Sequence, residues 1–130
     1  MKQQRGFTVI ELLVVIVAVL AVGYVAWNQI NTLQTMDRDD KRRTSINAIY
    51  YNLEEIYYKQ HSSYPKTLTD ATFSGMDKSL LKDPAGVKIG QSGSDFRYEP
   101  ISCSGDECKG YTLRTSLEGE ADFIKTNLKH

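Results

Sequence analysis

The chain has 130 residues and a mass of 14.7 kDa, which is room for one folded domain. Sixteen Lys+Arg balance sixteen Asp+Glu, so no bulk positive charge is present to bind phosphate backbones. A hydrophobic content of 41% argues against wholesale disorder. Two Cys cannot complete a four-ligand zinc site, and His61 and His130 lie far from them in sequence.

Residues 7–27 read FTVIELLVVIVAVLAVGYVAW, with Glu11 as their one charge. As a helix this run spans roughly 31 Å, close to the hydrocarbon thickness of a bilayer. Lys2 and Arg5 precede it with no acid between them, which keeps that end in the cytoplasm and exports the remainder. Tyr24 and Trp27 fall at the far end, where amphipathic aromatics favour the headgroup zone. A buried core helix would show one apolar stripe, whereas this segment is apolar around its whole circumference. A cleavable secretory signal ending at Val19-Leu20-Ala21 is the sharper rival, but it leaves Glu11 without a purpose.

An acid within a membrane helix costs on the order of 2.5–3.5 kcal/mol at mid-bilayer, so Glu11 calls for a partner. No Lys, Arg or His lies between 7 and 27, so the partner comes from another chain or from an amine made by proteolysis. Gly6-Phe7-Thr8-Val9-Ile10-Glu11-Leu12-Leu13 behind a short basic leader resembles the processing motif of type IV pilins and type II secretion pseudopilins. The resemblance covers about the first 30 residues, and the rest agrees in architecture. It implies cleavage after Gly6 by a prepilin peptidase, N-methylation of Phe7 and a register-setting role for Glu11 during assembly. It also implies partners: further copies of the chain, an assembly platform protein and an ATPase.

The chemistry is consistent with those implications. A new amine on Phe7, with an ordinary pKa near 8, stands four residues from Glu11. On a helix those positions share a face, so the charges can neutralise each other within a chain or between chains. In a low-dielectric bundle an axially misplaced subunit would leave both buried and unpaired. Loss of Lys2 and Arg5 leaves 14 bases against 16 acids and removes the cytoplasmic flank. Many pilins carry a kinking proline in the anchor; here none precedes Pro65, and Gly23 is the single weak point.

Residues 28–60 hold neither Gly nor Pro, which predicts that the helix continues to about Gln60. Asp37 with Lys41 and Asp39 with Arg43 form i,i+4 pairs, on either a solvated face or a face matched between subunits. Ile46, Ile49, Tyr50, Leu53, Ile56 and Tyr57 fall on one arc of about 120° and predict a core-facing stripe. Tyr51 and Tyr58 point elsewhere, to solvent or to a neighbouring subunit. Pro65 is expected to end the helix.

Residues 61–130 predict a small mixed head. Turns are expected at Pro65-Lys66-Thr67-Leu68 and Asp83-Pro84-Ala85-Gly86, with a short helix at 77–82 between them. Strands are expected at 96–99, 111–117 and 121–124, as an antiparallel meander. The fold class is therefore α+β: a long N-terminal helix packed on a small antiparallel sheet, as in pilins. The organisation predicted is a leader at 1–6, an anchor at 7–27, an amphipathic continuation at 28–60 and a head at 61–130.

After export a disulfide between Cys103 and Cys108 is chemically allowed and would staple a short loop. A redox dithiol is usually more tightly spaced. Many pilins close a longer loop near the C-terminus, so the short loop here gives no ground for transferring their adhesive role. Asp83, Asp95, Asp106 and Glu107 are loop acids, solvated or able to attract calcium, but their spacing is not that of an EF-hand. No nucleophile–base set, Gly-rich phosphate loop or metal-binding helix appears, so no catalytic residue, metal ligand or cofactor is assigned. Lys41-Arg42-Arg43 is the one local basic patch.

The function expected is a structural subunit of a pilus-like filament, inserted in the cytoplasmic membrane and later displayed at the cell surface. Alternatives are a pseudopilin of a type II secretion or DNA-uptake system, and a monomeric membrane-anchored binding module. An exported enzyme is disfavoured by the missing catalytic set.

Overall fold

The computed structural model describes residues 6–128. The leader apart from Gly6, with Lys2 and Arg5, and the terminal His130 lie outside the described residues. The chain forms two compact units, divided between Thr35 and Met36.

In the first unit the chain is helical from Val9, where α1 (Val9–Tyr51) begins. The helix starts two residues later than the apolar run because Thr8 caps it. The Thr8 hydroxyl accepts the Glu11 N–H at 3.3 Å, and the Thr8 carbonyl accepts the Leu12 N–H at 3.1 Å. The helix runs through Gly23.

The second unit is built on the rest of α1. The helical path then widens into a π-helical turn, Asn52–Tyr57, and ends with the short α2, Tyr58–His61. Ser62 stops it by adopting a left-handed conformation, φ 55°, and its N–H reaches the Tyr58 carbonyl at 2.7 Å. Pro65 acts further on. It lies with Tyr64 in a two-residue strand, β1 (Tyr64–Pro65), so the turn expected from Pro65 is a strand at its first residue. A 3₁₀ turn, Lys78–Leu81, occupies the expected short helix, capped by the Asp77 carboxylate on the Ser79 N–H at 2.9 Å. The Asp83–Gly86 turn closes through the Gly86 N–H and the Asp83 carbonyl at 2.8 Å, with Gly86 at φ 86°.

Strands β2 (Phe96–Ser104), β3 (Glu107–Thr115) and β4 (Phe123–Thr126) form the meander, all antiparallel. β3 is the centre. β2 pairs along one edge, while β4 and β1 pair with opposite ends of the other. The strands reach further than the alternation suggested, because β2 and β3 turn over two residues only. Gly105 takes φ 65° at the first of them, as a type II′ turn requires. Cys103 and Cys108, directly opposite across this hairpin, are joined by a disulfide. The outer edge of β2 pairs with no strand among the described residues, and Pro100 sits within it.

Ile46, Ile49 and Leu53 of the helix close on Phe96, Tyr111 and Leu113 of the sheet, with Tyr64, Phe73, Leu81 and Ile89 filling the core. The predicted stripe holds to Leu53, and Tyr57 still packs against the core, but Ile56 departs from it. Ile56 is 40% exposed, whereas Glu54 is buried and Tyr58 packs against the core beside Tyr64. The reason is the π turn: its i→i+5 bonding fits an extra residue into the turn and carries every later side chain round the axis. Tyr51 stays exposed, as predicted.

Candidate processing and assembly site

The Gly6–Phe7 peptide bond lies ahead of the helix cap, and both residues are exposed, Phe7 at 78%. A bond in such a segment can be drawn into a protease without unwinding helix. Glu11 stands in the first turn of α1, where the helix dipole favours an acid. With Thr8 it makes the pattern Thr-x-x-Glu, a capping-box spacing that was visible in the sequence but hidden by reading 7–27 as one apolar block. Phe7 lies outside the helix, which begins at Val9 behind the Thr8 cap.

The surface around this start is apolar on every side. Val9, Ile10, Leu13, Val17, Leu20 and Val25 are all more than half exposed. One 18-residue window reaches a mean hydropathy of 2.8 with none of it buried, so the helix is long and apolar enough to cross a membrane.

In the second unit, charged residues on α1 form a cluster that local spacing did not reveal. Arg42 is 7% exposed. Its guanidinium donates to Asp39 at 3.0 Å, to Glu118 at 2.8 Å and to Asp95 at 3.0 and 3.3 Å. Asp39 accepts the backbone N–H groups of Glu118 (2.9 and 3.1 Å) and Gly119 (3.0 Å). Arg38 grips Glu118 at 2.5 and 2.8 Å, and Arg43 pairs with Glu120 at 2.5 Å. The Asp37–Lys41 pair forms as expected, at 2.7 Å. The Asp39–Arg43 pair does not: Asp39 turns inward because two N–H donors and Arg42 meet it there. Burial works against the charge of Asp39, but those donors outweigh it and hold its pKa below the usual range. Hydrogen bonds from Arg38 and Arg42 bring the Glu118 pKa down to about 2.

Each base of Lys41-Arg42-Arg43 is thus matched by a carboxylate. The four loop acids do not come together as a set. Asp83 accepts the Val87 and Asp95 N–H groups at 2.8 and 2.9 Å, Asp95 accepts from Arg42, and Asp106 and Glu107 lie at the β2–β3 turn. No group of three or more potential metal ligands occurs among the described residues.

The π turn brings in one further acid. Glu54, 3% exposed, accepts the hydroxyls of Tyr64 (3.0 Å) and Tyr111 (2.8 Å) and the Leu128 N–H (3.3 Å). Burial first, then these bonds, push both tyrosine pKa values up. Nothing in the local pattern signalled this.

Residues 1–23 match the family described as the prokaryotic N-terminal methylation motif. The N-terminus carries the class III signal of type IV pilins and pseudopilins. No curated protein and no solved structure matches the chain. The motif supports a pilin-like or pseudopilin substrate of prepilin peptidase and, with the apolar helix, a membrane-anchored precursor. The motif belongs to structural proteins, not to a catalytic family.

Proposed function

We propose that the protein is a structural subunit of a type IV pilus-like filament. Its precursor sits in the cytoplasmic membrane, with residues 1–6 inside, 7–27 as the anchor and the head exported. Prepilin peptidase cuts between Gly6 and Phe7 and methylates the new amine. Subunits then leave the bilayer by packing their anchors into a shared bundle, driven by an assembly ATPase and a platform protein. The observation that carries this reading is the methylation motif on an apolar helix whose side chains have no cover within their own unit. Transfer from lipid to a bundle of like helices keeps that surface away from water.

Glu11 sets the register by meeting the Phe7 amine of a neighbouring subunit. Support comes from the cap at Thr8: Phe7 stands outside the helix, where a new amine would be open to a neighbour. An unpaired carboxylate in the bundle would be costly, so one axial position is selected.

Mass spectrometry of the purified protein tests the processing. An N-terminus at methylated Phe7 supports it, while intact Met1 or a cut near Ala21 defeats it. Glu11→Ala tests the register: processed, membrane-stable protein that builds no filament supports the role, and normal filaments refute it.

A further inference from the structure

We infer that residues 117–128 form a strap that undocks from the head as a unit while the rest of the head stays folded. None of the fully buried apolar residues comes from this segment, and only Phe123 packs against the core from it. Phe123 is half-buried, and Ile124 and Leu128 are 53% and 47% exposed. The rest of the attachment is polar. Asp39 holds the Glu118 and Gly119 N–H groups, Arg38 and Arg42 hold the Glu118 carboxylate, and Arg43 holds Glu120. β4 adds four paired residues on the edge of β3, and Glu54 accepts the Leu128 N–H.

Opening leaves no buried charge stranded, which is what permits it; what it gives up is the Tyr111 N–H bond to Asn127 Oδ1. Arg42 keeps Asp39 and Asp95, and Glu54 keeps the two tyrosine hydroxyls. The groups released, Glu118 and Glu120, are exposed residues that return to water. What the movement uncovers is the β3 edge from Thr112 to Thr115, a row able to pair with an extended segment. Regions with few buried apolar contacts and exposed hydrogen bonds are those that open locally.

Amide hydrogen exchange of the full-length protein in detergent micelles tests the inference. The amides of Glu118 and Gly119 and those that β4 donates to β3 are expected to exchange at least tenfold faster than those of Ile49 and Ile89, and together. Raising sodium chloride from 0.05 to 0.5 M screens the arginine–glutamate pairs, and should speed the strap severalfold while leaving Ile49 and Ile89 within twofold. Asp39→Asn should have the same selective effect, about tenfold. Strap and core amides exchanging at one rate at both salt concentrations would overturn the inference. So would strap amides that differ from one another by a hundredfold, since they would not then move as a unit.

Discussion

Arg42 and Asp95, 53 residues apart, are joined by two hydrogen bonds, from Nε at 3.3 Å and Nη2 at 3.0 Å. The same guanidinium also serves Asp39 and Glu118, so one side chain of α1 gathers the approach to β2 and the segment after β3.

Arg42→Ala should therefore destabilise the head by about 3 kcal/mol, because it leaves the buried Asp39 without its cation. Arg42→Lys should recover only part of this, since a single ammonium cannot fork to three carboxylates. Thermal unfolding of the full-length variants checks both; a lysine variant as stable as the natural protein would contradict the forked arrangement.

Acid should loosen the same region. The pKa of Glu118 is lowered to about 2 by Arg38 and Arg42, and that of Asp39 is lowered by its N–H donors and Arg42. Folding then gives stability that is complete above the unfolded carboxylate range and is lost as pH falls through the folded values. The unfolding midpoint should fall steadily from about pH 4.5 toward pH 2, and Glu118→Gln should shallow that slope. A variant with an unchanged slope would remove Glu118 as its source.

A methyl group at Gly110 would stand 2.6 Å from the Asn127 Oδ1, the atom that accepts the Tyr111 N–H at 3.2 Å. Gly110→Ala should push the amide aside and cost about 1–2 kcal/mol through the orphaned N–H. Adding Asn127→Ala should cost little more, because the bond is already lost. Additive losses in a double-mutant cycle would show the two positions to be independent.

The π turn makes opposite predictions for two residues that an unbroken α-helix would treat alike. Leu53→Ala should cost about 2–5 kcal/mol, as Leu53 is fully buried. Ile56→Ala should stay within about 1 kcal/mol, because the side chain is partly in solvent. Denaturant midpoints of the two variants decide the matter: equal losses would mean that the stripe keeps its α-helical phase.

Period and composition make the long apolar helix, the stripe to Leu53 and the three-stranded meander legible in the sequence. Those features depend on neighbours in sequence. The failures involve distant ones. Asp39 was matched to Arg43 because four-residue spacing is all that a sequence displays, whereas its partners Glu118 and Gly119 lie some 80 positions away. Ile56 and Tyr58 exchanged roles because one π turn shifts the phase, and Asn52–Tyr57 has no composition that announces it. At the N-terminus the methylation motif is legible from its residues, whereas the Thr8 cap is masked by the greasy run around it.

Pro100 has a further consequence. It offers no N–H along the open rim of β2, and Arg97 and Glu99 beside it carry charge. Fibrils of the amyloid kind grow by strand after strand joining such rims, and this one breaks the ladder in its middle. In the filament proposed above, neighbouring heads would thereby be kept from fusing sheet to sheet.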